Sequence, residues 1–104
     1  MQVQVHADSS VPRSTILTHA VETAVENAVS RWTPRITRVE VHLSDINRHK
    51  GGDDDKRCLM EARLAGLQPI AVKHHAGTIQ EAIDGAADKL KKAVESTLGR
   101  LSDR

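Results

Sequence analysis

Carboxylate side chains in one polar segment are the first candidates for chemistry in this sequence. Asp53, Asp54 and Asp55 follow two glycines, and carboxylate oxygens are ligands that calcium and magnesium prefer. The segment lacks the spaced ligands and the closing bidentate glutamate of a calcium-binding loop. We therefore predict that residues 44–56 form a solvated hairpin loop between two strands, with these aspartates exposed.

Histidines are the second candidates, because imidazole nitrogens bind transition metals. His74 and His75 are adjacent, so on a strand they point to opposite faces and cannot hold one metal together. His42 could meet His75 across the exposed face of a sheet, where a cross-strand polar pair is the simpler interpretation. No other His or Cys stands at zinc-finger spacing. We predict no metal site and no cofactor.

Cys58 is the only cysteine, so no internal disulfide can form and a reducing cytoplasm is the expected compartment. It alternates with Met60 and Ala62, a spacing that places it on the inner face of a strand as a small hydrophobic residue. A nucleophile would also need a base and an orienting group, which the sequence does not supply. The chain also has no glycine-rich phosphate loop. We predict that the protein is not an enzyme.

Basic side chains offer a different chemistry, the binding of RNA phosphates. The chain has 15 Lys and Arg, 14 Asp and Glu, and a net charge of +1, so an RNA-binding protein of this composition must gather its bases on one surface. Such bases can contact the RNA backbone without reading sequence. Trp32 is the only aromatic residue among Phe, Trp and Tyr, which argues against base stacking. Interleaved acids equally allow an ordinary solvated surface, and the residues alone leave both interpretations open.

Residues 36–75 contain three segments in which apolar and polar residues alternate, as expected for strands with one buried face. The apolar positions are Val39, Val41 and Leu43, then Cys58, Met60, Ala62 and Leu64, then Ile70 and Val72. Short connections, including a tight turn at residues 66–69, favour an antiparallel arrangement of these strands. Val3 and Val5 predict a further short strand at the start of the chain.

Two amphipathic helices flank this region. The first is predicted to begin near Pro12, after a capping cluster at residues 8–10, and to end where Thr33 and Pro34 stop it. Its apolar positions are Ile16, Leu17, Ala20, Val21, Ala24, Val25, Ala28 and Trp32. The last begins at Thr78 with a capping box, and its apolar positions are Ile79, Ile83, Ala86, Leu90, Ala93 or Val94, Leu98 and Leu101.

The order β-α-β-β-β-α predicts an α+β fold in a single domain, residues 1–104. It is a two-layer sandwich with a four-stranded mixed sheet and both helices on one face. The first helix connects two parallel strands by a right-handed crossover. No apolar run is long enough to cross a bilayer and no signal peptide is apparent, so we expect no membrane partner.

Two segments carry a resemblance to a known family. They are I-T-R-V-E-V-H-L-S-D at residues 36–45 and A-I-D-G-A-A-D-K-L-K-K at residues 82–92. With the order of elements, they resemble the short ribosome hibernation-promoting factors, also called ribosome-associated inhibitor A or sigma-54 modulation proteins. The resemblance implies a non-catalytic factor that binds small-subunit rRNA in the channel of mRNA and tRNA during stress or stationary phase. The expected phosphate-binding residues are Lys89, Lys91, Lys92, Arg38 and Arg100.

An alternative keeps the fold but changes the partner. A regulatory module of this type could bind another protein, or associate weakly with itself as a homodimer, through the exposed face of the sheet. Its contacts would be of mixed charge, from Arg38, Glu40, Glu61, Arg63 and Lys73. Charge reversal of Lys89 and Lys92 distinguishes the two hypotheses, since only ribosome binding depends on them.

Overall fold

The computed structural model describes residues 1–46 and 55–102. Its strands are β1 (Gln2–Ala7), β2 (Ile36–Asp45), β3 (Lys56–Leu64) and β4 (Ile70–Ala76). Its α-helices are α1 (Thr15–Val29) and α2 (Ile79–Ser102), and a 3₁₀ helix (Ser30–Arg35) follows α1. The predicted order β-α-β-β-β-α and the α+β class are confirmed.

The four strands form one mixed sheet in the order β1-β2-β3-β4. β1 runs parallel to β2, and His6 lies opposite His42 in their register. The other two pairings are antiparallel, with His42 opposite Leu59 on β3 and Leu59 opposite Lys73 on β4. One row across the face of the sheet that is turned away from the helices therefore consists of His6, His42, Leu59 and Lys73.

The core lies between the sheet and the two helices. The alternation predicted for β2 and β3 is observed, since Val39, Val41, Cys58 and Met60 are all completely buried. The helices cover them with a valine row on α1 and an Ile, Ala and Leu row on α2; the fully buried members are Val21, Val25, Val29, Ala82, Ile83, Ala86, Leu90 and Val94. Gly66, with φ of 77°, makes the predicted turn between β3 and β4.

The boundaries of α1 differ from the prediction. The helix begins at Thr15, because Ser14 caps it by accepting a 3.0 Å hydrogen bond from the Leu17 amide. Its α-helical part ends at Val29, and the chain continues through Thr33 and Pro34 in 3₁₀ conformation. Proline is compatible with a short 3₁₀ helix, so the helical conformation continues past Pro34 to Arg35.

Two predicted apolar positions are exposed. Ile16 is 83% exposed, because it precedes the buried Val21 by five residues and so projects about 140° away from it around the helix. Leu101 is 38% exposed. It lies in the last turn of the 24-residue α2, three residues after the buried Leu98.

The polar segment between β2 and β3 is shorter than predicted, and one of its aspartates is buried. Ser44 and Lys56 belong to strands, and Asp55 is only 5% exposed. The Lys56 ammonium lies 3.1 Å from both Asp55 and Asp45. The hydrogen bonds that it donates, first to Asp55 and then to Asp45, raise the pKa of Lys56. The expectation of an exposed Asp55 was wrong, whereas Asp53 and Asp54 lie outside the described residues.

Burial gives Cys58 a measurable signature in alkaline solution. Desolvation of the thiolate raises the pKa of Cys58 from 9.0 to about 12. Between these values the unfolded thiol loses its proton and the folded thiol keeps it, so stability is complete below pH 9 and falls as the pH rises toward 12. At about pH 10.5 we expect the thiol to account for a loss of about 2 kcal/mol in unfolding free energy.

Urea unfolding of the wild type and of Cys58→Ala between pH 8 and 11 checks this expectation. The alanine variant is less stable at pH 8 but should lose less stability as the pH rises. The stability that the alanine variant still loses at high pH includes a contribution from Lys56. A lysine whose pKa is raised in the folded state also stabilises that state less as the pH rises. Parallel stability curves for the two proteins would contradict the assignment.

Candidate nucleic-acid interface

α2 presents a row of basic residues beside the edge of the sheet. The helix starts with the predicted capping box, in which the Thr78 hydroxyl accepts a 3.1 Å hydrogen bond from the Glu81 amide and donates one of 3.0 Å to the Glu81 carboxylate. Farther along, Lys89, Lys92 and Arg100 are separated by three and eight residues. At 100° per residue they lie within one 80°-wide stripe, which we call the basic stripe.

The start of the basic stripe is anchored to β4, an edge strand. Lys89 Nζ donates a 3.0 Å hydrogen bond to the backbone carbonyl of Lys73, and Lys73 itself is exposed. A lysine at a sheet edge supplies charge where an unpaired carbonyl would otherwise face water. The contact holds the Lys89 ammonium close to the surface and leaves its remaining protons available.

The rest of the basic stripe is open to solvent. The Lys92 ammonium lies 3.1 Å from the Asp88 carboxylate one turn earlier, with 75% and 61% of the two side chains exposed, so this pair contributes little to stability. Arg100 Nη1 donates a 2.9 Å hydrogen bond to the Ser96 hydroxyl. A shallow groove runs between them, lined by Lys92, Glu95, Ser96, Gly99 and Arg100.

Two of the five predicted phosphate-binding residues lie away from this stripe. Lys91 is exposed on α2, but it lies 160° around the helix from Lys89 and 100° from Lys92. Arg38 belongs to β2, between the buried Ile36 and Val39, and its guanidinium lies on the outer face of the sheet. The structure thus gathers Lys89, Lys92 and Arg100 and separates them from the other two.

Around Arg38 the outer face of the sheet is a network of opposite charges. One oxygen of Glu40, Oε2, lies 3.2 Å from Arg38 Nη2 and 3.6 Å from Arg63 Nε. Arg63 also lies 3.1 Å from Glu61. The positive charge of Arg38 is therefore largely offset by its neighbour, and the outer face has less unpaired charge for phosphate than α2 has.

The histidines of the outer face are arranged differently from the prediction. His42 does not meet His75, which lies opposite Arg57. It stacks instead on His6, with ring centroids 4.7 Å apart and ring planes 15° from parallel. Sequence reasoning missed this pair because it depends on the parallel register of β1 with β2; the alternation of both strands was the available signal.

Comparison with known proteins identifies the family. Residues 12–102 match the family model described as sigma 54 modulation protein / S30EA ribosomal protein. The chain belongs to this family. Members of the S30EA family are ribosome-associated factors and the family is not one of enzymes. The match spans α1, β2, β3, β4 and α2, and it includes the whole basic stripe.

Two solved structures have the same fold as this chain. The N-terminal domain of Protein Y from Thermus thermophilus has 18% sequence identity and a TM-score of 0.76, with 93% of this chain and 99% of that chain covered. A ribosomal subunit interface protein from Coxiella burnetii has 17% identity and a TM-score of 0.75, with 94% and 99% covered. No curated protein matches the sequence. Across residues 1–46 and 55–102, no helix is long and apolar enough to cross a membrane.

Proposed function

We propose that this protein is a translation-inhibiting hibernation factor that binds rRNA of the small ribosomal subunit in the path of mRNA and tRNA. It would act in the cytoplasm during stress or stationary phase. The observation that carries the proposal is the basic stripe on α2, with Lys89, Lys92 and Arg100 on one exposed flank. Membership of a ribosome-associated family supports the choice of partner.

The chemistry of the stripe suits a phosphate backbone. Lys89 and Lys92 carry point charges that can each approach a phosphate, while the planar guanidinium of Arg100 can donate two parallel hydrogen bonds. The groove between Lys92 and Arg100 gives a phosphate group room to reach both side chains. Lys91 adds charge on the neighbouring surface of α2. Arg38 contributes less, because Glu40 already offsets its charge.

The absence of base-reading chemistry is consistent with this mode of binding. The chain has one aromatic residue among Phe, Trp and Tyr, and that residue, Trp32, is half-buried beside Arg31, whose guanidinium carbon lies 5.4 Å from the ring centroid. Binding through phosphates alone recognises the shape of the folded rRNA rather than its sequence.

Cosedimentation with purified small subunits over a series of KCl concentrations, at constant magnesium, tests the proposal. Three or four phosphate contacts predict that a fourfold rise in salt weakens binding roughly 20- to 150-fold, through loss of counterion release. A toeprinting assay with the same subunits should show that the protein displaces mRNA. The proposal fails if the protein does not pellet with subunits at low salt.

The outer face of the sheet supports the alternative, a protein partner or self-association, less well. Its charges already neutralise one another, as the contacts of Glu40 and Arg63 show. A partner would have to replace these ion pairs with its own. Self-association that is unchanged by charge reversal of the basic stripe, in a protein that does not pellet with small subunits, would favour this alternative.

A further inference from the structure

Three potential metal ligands meet on the outer face of the sheet. The parallel register places His6 beside His42, and Glu40 precedes His42 by two residues on the same face. One ligand atom from each of these residues lies within 4.8 Å of the other two. Within residues 1–46 and 55–102 no other three His, Cys, Asp or Glu side chains are grouped in this way.

The two oxygens of Glu40 have different surroundings. Oε2 faces the guanidinium groups of Arg38 and Arg63. Oε1 lies on the side of the imidazoles, 3.5 Å from His6 Nε2. The arginines therefore hold the carboxylate in place through one oxygen and leave the other directed at the histidine pair. In metal sites, residues that do not touch the metal commonly orient its ligands in this way.

We propose that His6, Glu40 and His42 form a zinc site on the outer face of the sheet. Two imidazoles and a carboxylate are a donor set that zinc accepts, with a water molecule at the fourth position. Ligand atoms around tetrahedral zinc lie about 3.4 Å apart, so the observed separations need a contraction of at most about 1.4 Å. The site is independent of the basic stripe, which lies on the opposite layer of the molecule.

Side-chain rotation supplies this contraction. Lone pairs of nearly parallel imidazoles do not converge on one point, so zinc binding requires the rings of His6 and His42 to tilt toward each other. Both residues are exposed, and 48% of the His6 side chain is accessible, so each ring borders solvent into which it can turn. Zinc would then join β1 to β2 through side chains, in addition to their backbone hydrogen bonds.

Isothermal titration of the tag-free protein with zinc chloride tests the proposal. We expect one zinc ion per chain and a rise in thermal midpoint with zinc concentration, because the ion binds only the folded arrangement. His6→Ala and His42→Ala should each weaken binding at least about tenfold, and Glu40→Gln should also weaken it. Cobalt chloride is a second probe, since its visible absorption should report coordination by the two imidazoles.

Matched controls are His19→Ala and His75→Ala, which remove histidines outside the cluster. Both should bind zinc as the wild type does. Circular dichroism verifies that the variants fold, and imidazole proton shifts of the wild type on zinc addition identify the two ligands directly. The proposal is overturned if the wild type binds no zinc up to roughly millimolar concentration, if His42→Ala binds zinc unchanged, or if the control variants lose binding equally.

Discussion

Replacing Lys89 and Lys92 together by glutamate is expected to abolish cosedimentation with the small ribosomal subunit. Each replacement removes a charge-assisted contact worth about 1.5–3 kcal/mol and places a carboxylate where the phosphate would lie. Two lost contacts correspond to a decrease in affinity of at least about 100-fold. The dependence of the remaining binding on salt should also become shallower, by about one phosphate per lysine.

Arg13→Glu provides a matched control for the single variant Lys92→Glu. Arg13 is exposed before the start of α1, and both substitutions lower the net charge from +1 to −1, since each exchange of a base for an acid changes it by two. If the basic stripe carries the contacts, Lys92→Glu weakens binding and Arg13→Glu does so much less. Equal losses would indicate that the overall charge of the protein, and not the position on α2, determines binding.

Gly85→Leu is expected to be among the most destabilising single changes on the surface of α2. The ring of His74 on β4 lies directly against this turn of the helix, so that a Cβ atom at position 85 would overlap its Cγ, Cδ2 and Nε2 atoms. Even Gly85→Ala should lower the unfolding free energy by about 1–3 kcal/mol through overpacking. The higher helix propensity of alanine offsets roughly 1 kcal/mol of this loss. Leucine should cost about 3 kcal/mol, a large part of a typical domain's stability.

Two further variants separate overlap from helix propensity. Gly99 lies on the same helix with no atom within 4 Å of a Cβ built there, so Gly99→Ala should be neutral or stabilise the protein by up to about 1 kcal/mol. His74→Ala combined with Gly85→Ala should recover most of the loss caused by Gly85→Ala alone. Urea unfolding measures these variants together with the wild type and the single variant His74→Ala. Additive effects at positions 74 and 85 would refute the contact.

The sequence was sufficient for the layers of this fold because alternation and helical spacing are local properties. Val39, Val41 and Met60 follow a period of two, and Ile83, Leu90 and Val94 follow the helical repeat; each pattern by itself shows which side is buried. The exact ends of α1 were less predictable. A serine at position 10 and a serine at position 14 are equally good caps by type, and only packing decides between them.

The candidate site was predictable in composition but not in arrangement. The periodicity of α2 identifies Lys89 and Lys92 as surface bases, yet the contact of Lys89 with the Lys73 carbonyl depends on how the helix lies against β4. Likewise, no local pattern determines which residue of β1 meets His42. Pairing between strands far apart in sequence is set by the whole core, so the cluster of His6, Glu40 and His42 became visible only in three dimensions.

The place of β1 at the edge of the sheet has a consequence for how the chain folds. β3, β4 and α2 each pack on the element just before them, so most of their contacts join residues near in sequence. β1 must wait for its partner strand, which comes only after α1 and the 3₁₀ helix, and closing so long a loop costs entropy. Folding is therefore expected to proceed from the carboxyl-terminal elements, with the first strand of the chain added among the last.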